Sequence, residues 1–294
     1  MLKVNDLSIY ANSISIENVT FQVEQGDFFV IFGPDDSGKT ELLQSIMGLT
    51  PIYNGDILFK DKPIRRLPIS LRKTIRFVPD DMFLLQDLTA KQYFRHISLT
   101  YRINEPEFLQ SLVQYFDIDI KERLSQMTYE TNKLVAIIGA MMTFPEFLIL
   151  DEPFNFLTSD NITKLLSLLN RFNQKGMTIL IASENFEDLD NNCNRMMYIN
   201  DGKIIQKCKV RKNTTSYKSI TIKGTNFKSI EKQLGAPYII NGNYRTYICS
   251  FDIETISNIL KKNKIADENV SINAASIKDA LDYVTKLANK GTTT

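Results

Sequence analysis

The stretch "FFVIFGPDDSGKTELLQSIMGL", residues 28–49, leaves the backbone few options. Its first five residues are apolar without alternation, the mark of a strand buried on both faces. Gly33-x4-Gly38-Lys39-Thr40 follows, and then Leu42, Leu43, Ile46 and Met47 recur on one face of a helix. A strand that passes through a glycine-rich turn straight into a helix gathers backbone N–H groups and the positive helix end at one point. That arrangement binds phosphate. In such a loop Gly33 and Gly38 permit the tight path, with Asp36 and Ser37 as loop members. Lys39 is placed to neutralise β/γ-phosphates and Thr40 to put its hydroxyl on Mg²⁺. Asp35 and Asp36 are the anomaly, because they add negative charge to a loop meant for a polyanion. Backbone N–H groups, Lys39 and Mg²⁺ can carry the binding if those two side chains point elsewhere.

The second half of such a site is "FLILDEP", residues 147–153. An apolar strand there delivers Asp151 to a Mg²⁺ shell and Glu152 to a position from which it can polarise an attacking water.

Around these motifs the pattern changes period in a regular way. "MLKVNDLSIY" and the residues that follow alternate like strands, with "EQGD" as a turn, and "NGDILFKDKPI" reads as a hairpin. From about Leu88 to Pro145 the pattern is helical. "DNITKLLSLLNRFNQKG" is a helix, "MTILIAS" a strand, and "RMMYINDGKIIQK" a strand pair. Strands alternating with helices predict a mostly parallel α/β core. Near "KCKVRKNTTS" the composition turns charged and Thr/Ser-rich, as in a linker. The remainder alternates strand and helix again, which predicts a small α+β domain of ferredoxin-like type. The expected organisation is therefore residues 1–206 as the nucleotide-binding domain, with a helical subdomain at about 82–145. A linker at 207–216, a small domain at 217–290 and a disordered tail at 291–294 follow.

Composition removes several classes. Lys and Arg total 35 against 34 for Asp and Glu, so no general nucleic-acid binder is expected. Cys193, Cys208 and Cys249 have no metal-ligand spacing and read as reduced thiols. No apolar run reaches the ~18 residues that span a bilayer, and "MLKVNDLSIY" carries no signal-peptide pattern. Work at a membrane would therefore go through a partner. His96, the single histidine, lies on an amphipathic stretch and reads as structural.

With both phosphate-site motifs in place, residues 1–206 resemble the ATP-binding subunit of an ABC transporter. Four further segments carry the likeness: "IYAN", "FVPDD", "MTYETNKLVAIIGAMMTFP" and "IASENFEDLDNNCNRMMYINDGKI". The resemblance implies Tyr10 under the adenine of ATP, and Asp80 where the family places a Mg²⁺-contacting glutamine. It implies Thr128 at the signature serine and Glu184 at the switch histidine. Thr40, Asp80 and Asp151 would share Mg²⁺. The region after "KVRKN" resembles the small C-terminal domain of many exporter-type subunits, ending in a helix at "SIKDALDYV". The implied partners are a membrane-spanning permease subunit and a second ATP-binding subunit, at the cytoplasmic face of the cell membrane.

The chain also departs from the family pattern. Tyr129 and Glu130 replace the two signature glycines, Thr158 replaces an aspartate at the dimer seam, and Glu184 replaces the histidine that touches the γ-phosphate. Two like unit charges about 4 Å apart cost roughly 4 kcal/mol at an effective dielectric of 20. Glu184 must therefore protonate, pair with a cation or turn away. Two expectations stay open: an ATPase motor driving an exporter, or a weakly hydrolysing, ATP-gated half of a heterodimer.

Overall fold

The structure, a computed structural model, describes residues 1–11, 14–81, 86–184, 189, 192–209, 218–224, 227–234, 239–249, 253–263, 265–266 and 269–274. It divides into two compact units, Met1–Lys209 and Val210–Thr294.

In the first unit, β1 (Leu2–Ala11) and β2 (Ile14–Val23) form an antiparallel pair. The short strand β3 (Phe28–Phe32) leads into α1 (Lys39–Ile46). Strands β4 (Asn54–Phe59) and β5 (Lys62–Pro63) join β1 and β2 in a four-stranded sheet of order β2-β1-β4-β5, so the expected hairpin is there. After α2 (Ile69–Arg72) and β6 (Ile75–Val78) come three helices: α3 (Ala90–Tyr101), α4 (Pro106–Tyr115) and α5 (Tyr129–Met141). They occupy the segment expected to be helical. The chain then forms β7 (Phe147–Asp151), α6 (Ser159–Gln174), β8 (Thr178–Ser183), β9 (Arg195–Asn200) and β10 (Lys203–Lys209).

The second sheet has six strands in the order β10-β9-β3-β8-β7-β6. All its pairings are parallel except β9 with β10. Every residue of β3, β7 and β8 is buried, which explains why their sequences read as continuous apolar runs rather than alternations. Helix α6 buries Leu165, Leu168, Leu169 and Phe172, a single stripe at helical spacing. The core joins both sheets through residues such as Val4, Phe21, Ile31, Leu43, Phe59, Phe147 and Leu180. Among the described residues, no helix is long and apolar enough to cross a membrane.

The second unit holds β11 (Lys218–Lys223), α7 (Lys228–Leu234), β12 (Ile239–Asn241), β13 (Tyr244–Cys249), α8 (Ile253–Lys262) and β14 (Val270–Ala274). Its sheet is wholly antiparallel, in the order β12-β13-β11-β14. Ile220, Ile222, Phe227, Ile230, Tyr247 and Ile256 form its own core. Strand β10 continues through 207–209, into the stretch expected to be linker. The rest of that linker, the expected last helix at "SIKDALDYV" and the tail lie outside the described residues.

The helical insert starts on a capping box. Thr89 Oγ1 accepts from Gln92 N–H, and Gln92 Oε1 accepts from Thr89 N–H. Both satisfy donors that the first turn of α3 would otherwise leave open. Thr89→Ala should therefore lower the unfolding free energy by about 1 kcal/mol in denaturant titration; no change would show that the box contributes nothing.

Candidate functional site

Strands β3, β8, β7 and β6 run parallel, so the segments that leave them emerge at one edge of the sheet. In open parallel sheets that carboxyl edge is where ligands bind. It receives the loop at 33–38 after β3, Asp80 after β6, Glu152 after β7 and Glu184 after β8.

The loop geometry explains its glycines. A Cβ on Gly33 would lie 2.2 Å from the Ile199 carbonyl oxygen, and Gly38 has φ +96° at the N-terminus of α1. No other residue fits the first position, and none adopts the second without strain. No side chain caps α1, so its N–H groups are left for another partner. Lys39 is buried, and its Nζ donates to the carbonyls of Gly33 at 2.9 Å and Pro34 at 2.8 Å. Ser37 Oγ is buried in the same loop without a hydrogen-bond partner. Asp35 and Asp36 are exposed, and Asp35 lies beside Glu184 at this edge.

Lys39 Nζ also lies 3.5 Å from Glu152 Oε1, which links the two motifs directly. Glu152 has φ +42°, a left-handed conformation that costs a side-chain-bearing residue on the order of 1–2 kcal/mol. Its N–H donates to Ala182 O at 2.9 Å, and its Oε2 accepts from Glu184 N–H at 3.2 Å. Burial pushes its carboxyl up to about 7, against the opposing pull of Lys39 and the Glu184 N–H. Asp151 is 1% exposed, and neither carboxylate oxygen has a hydrogen-bond partner. Burial raises it to about 6; the Thr40 hydroxyl lies close enough to favour the charged form without completing a hydrogen bond. Buried polar atoms are normally paired. Ser37 Oγ, both Asp151 oxygens and Glu152 Oε1 are therefore conspicuous together.

Asp80 is held elsewhere. Its Oδ1 accepts from Lys133 Nζ at 2.6 Å, and the same ammonium donates to the Glu152 carbonyl at 2.7 Å. Lys133 was not among the residues singled out in the sequence. The signal was available: one cation opening the run "KLVAIIGAMM", whose surroundings are otherwise apolar. Tyr129 and Glu130 are likewise engaged within the chain. Tyr129 Oη donates to the Asp80 carbonyl at 2.8 Å and its ring packs edge-on against Phe156, centroids 4.9 Å apart. Glu130 Oε1 accepts from Thr158 N–H, Thr158 Oγ1 and Asn161 Nδ2 at 2.7–2.9 Å, at the start of α6. Desolvation opposes these bonds, but they prevail and hold Glu130 below the ordinary carboxylate range.

Thr128 caps α5 by accepting from Thr131 N–H. Glu184 is exposed beside Asp35; desolvation first and then the Asp35 carboxyl push it upward. Tyr10 is 56% exposed on β1, its ring edge-on to Tyr53 with centroids 5.0 Å apart. His96 is exposed on α3. Among the described residues, no three His, Cys, Asp or Glu side chains are arranged to hold a metal by themselves. Mg²⁺ commonly binds through one or two carboxylates plus substrate phosphates, and Asp151 beside Thr40 suits that mode.

Comparison with known proteins agrees with this geometry. The ABC transporter family matches residues 16–155. The chain is 27% identical over 208 residues to the lantibiotic transport ATP-binding protein SrtF of Streptococcus pyogenes, covering 70% of this chain and 89% of that protein. It is 26% identical over 220 residues to the molybdate/tungstate import ATP-binding protein WtpC of Pyrococcus horikoshii, covering 72% of this chain and 63% of that one. The fold matches that of a dimeric ATP-binding cassette bound to ADP and phosphate, with TM-score 0.64 and 22% identity over 72% of this chain and 99% of that one. The parallel sheet edge that collects a phosphate loop and an acidic strand end lies in a first unit whose residues 16–155 match the ABC transporter family and which is similar to ATP-binding proteins of such transporters.

Proposed function

We propose that the first unit binds Mg-ATP at this sheet edge and energises an exporter-type transporter. The observation that carries the proposal is the set of buried polar atoms without a hydrogen-bond partner around Lys39: Ser37 Oγ, Asp151 Oδ1 and Oδ2, and Glu152 Oε1, the last at ion-pair distance from the Lys39 ammonium. A polyphosphate with its cation would satisfy them, and leaving them unsatisfied costs roughly 1–3 kcal/mol apiece.

In this proposal Gly33, Asp36, Ser37, Gly38, Lys39 and Thr40 form the phosphate cradle, chiefly through backbone N–H groups and the Lys39 ammonium. Tyr10 takes the adenine face. Thr40, Asp80 and Asp151 hold Mg²⁺, which when bound offsets phosphate charge. Glu152 orients the water that attacks, and its raised pKa suits a group that must accept a proton near neutral pH. Thr128 and Glu184 stand on the γ-phosphate side. The partners are a membrane permease subunit and a second ATP-binding subunit, with the chain peripheral at the cytoplasmic face of the membrane. The transporter relatives support partners of this kind; exporter direction rests on the likeness of the small C-terminal unit. That unit, with its β-α-β-β-α-β order and antiparallel sheet, supports a ferredoxin-like domain beyond residue 216.

A second reading has its own observation. Tyr129 and Glu130 are spent on Asp80, Thr158 and Asn161 of the same chain, which leaves a poor surface for nucleotide held by another subunit. The chain would then be the weakly hydrolysing half of a heterodimer, its phosphate loop facing the partner's signature.

Binding of a fluorescent ATP analogue should weaken at least tenfold in Lys39→Ala, about 1.4 kcal/mol or more; unchanged binding would remove the site. Steady-state phosphate release by the purified complex separates the two readings. Glu152→Gln should slow it by about 10²–10⁴-fold if this chain is a motor. An intact rate would assign hydrolysis to a partner's site.

A further inference from the structure

We propose that Lys133 is a positioning residue of this site: its ammonium ties Asp80 after β6 to Glu152 after β7 and holds Glu152 facing Lys39. The inference deepens the nucleotide-site reading above and rests on it for its consequence, but not for its geometry.

Lys133 is 0% exposed. A buried ammonium is costly unless it is paired and hydrogen-bonded. Two of its three donors meet strong acceptors, Asp80 Oδ1 at 2.6 Å and Glu152 O at 2.7 Å, and the ring of Tyr129 lies 5.5 Å from Nζ. Those acceptors leave neighbouring parallel strands, since β6 pairs with β7. One side chain thus staples two connections at the ligand-binding edge. Tyr129 and Lys133 lie four residues apart on α5 and so share a helix face. From that face Tyr129 grips the Asp80 backbone while Lys133 grips the Asp80 side chain.

The connection to Glu152 gives the pair its function. Residues in sparsely populated backbone conformations persist only where surrounding groups over-determine them. The φ of +42° at Glu152 is held on one side by its N–H bond to Ala182 O and on the other, at its carbonyl, by Lys133 at 2.7 Å and by the longer Asn155 N–H bond at 3.3 Å. The same conformation leaves the Glu152 carboxylate 3.5 Å from Lys39 Nζ and within reach of the Glu184 N–H. Without Lys133, the Glu152 carbonyl keeps only the longer bond from Asn155 N–H at 3.3 Å, and Asp80 becomes an uncompensated carboxylate. A simple core role would end at packing; this contact network reaches the catalytic-side glutamate.

The experiment compares the full chain with Lys133→Gln, which keeps a donor but no charge, and Lys133→Met, which keeps neither. Amide hydrogen exchange is measured without nucleotide, alongside binding of a fluorescent ATP analogue with Mg²⁺. Exchange across 151–158 should rise at least tenfold in Lys133→Met and less in Lys133→Gln, with residues 28–32 unchanged. Mg-ATP affinity should fall about tenfold in Lys133→Met and be partly rescued in Lys133→Gln. Unchanged exchange across 151–158, or an equal rise everywhere, overturns the proposal, as does native affinity in Lys133→Met. If Lys133→Met does not fold, Lys133→Gln carries the same two measurements with the same criteria. If the native chain binds no nucleotide, the ATP reading falls while the exchange measurement still decides the role of Lys133.

Discussion

Two buried ammonium groups hold together an edge that is otherwise acidic. Asp35, Asp80, Asp151, Glu152 and Glu184 all contribute to it, and Lys39 and Lys133 are the cations in contact with them. At an effective dielectric of 20, each like-charge pair at about 4 Å costs roughly 4 kcal/mol, so this edge cannot carry every charge unrelieved. The carboxyl groups of Asp151 and Glu152 respond to burial by holding protons more tightly. The lysines respond by donating to backbone carbonyls as well as approaching carboxylates. Each cation therefore organises backbone as well as charge.

That dual use connects the acidic edge to the helical insert. Lys133 and Tyr129 come from the first turns of α5, and Glu130, between them in sequence, reaches instead to the start of α6. One short stretch of helix thereby grips the segments after β6 and β7 and the N-terminus of α6. Such contacts are where movement of the insert and occupancy of the edge can exchange free energy.

The parallel core was legible because its signals are strong and local. Fully buried strands leave uninterrupted apolar runs, as in β3 and β7, and a glycine-rich turn between strand and helix is a compact, local pattern. The thiol-poor composition and the helical insert were equally plain. The pairing of Lys133 with Asp80 was not, because a lysine fifty-odd residues from its partner carries no periodic signature; only the fold brings β6 beside α5. The fate of Glu130 was hidden for the same reason. Its charge reads as repulsive beside a phosphate, yet three donors at the start of α6 claim it. Sequence spacing reports which residues share an element; it does not report which acceptor a long side chain selects across elements.

On the proposed function, this acidic edge accepts a polyphosphate only together with a divalent cation. Equilibrium binding of ATP to the full chain, with Mg²⁺ and then with excess chelator, tests it directly. Affinity should fall by about 100-fold or more when Mg²⁺ is withdrawn, roughly 2.7 kcal/mol, because Asp151 and Glu152 would then face phosphate unscreened. Equal affinity under both conditions would contradict the claim, and would mean that Lys39 and the loop N–H groups alone outweigh the carboxylates.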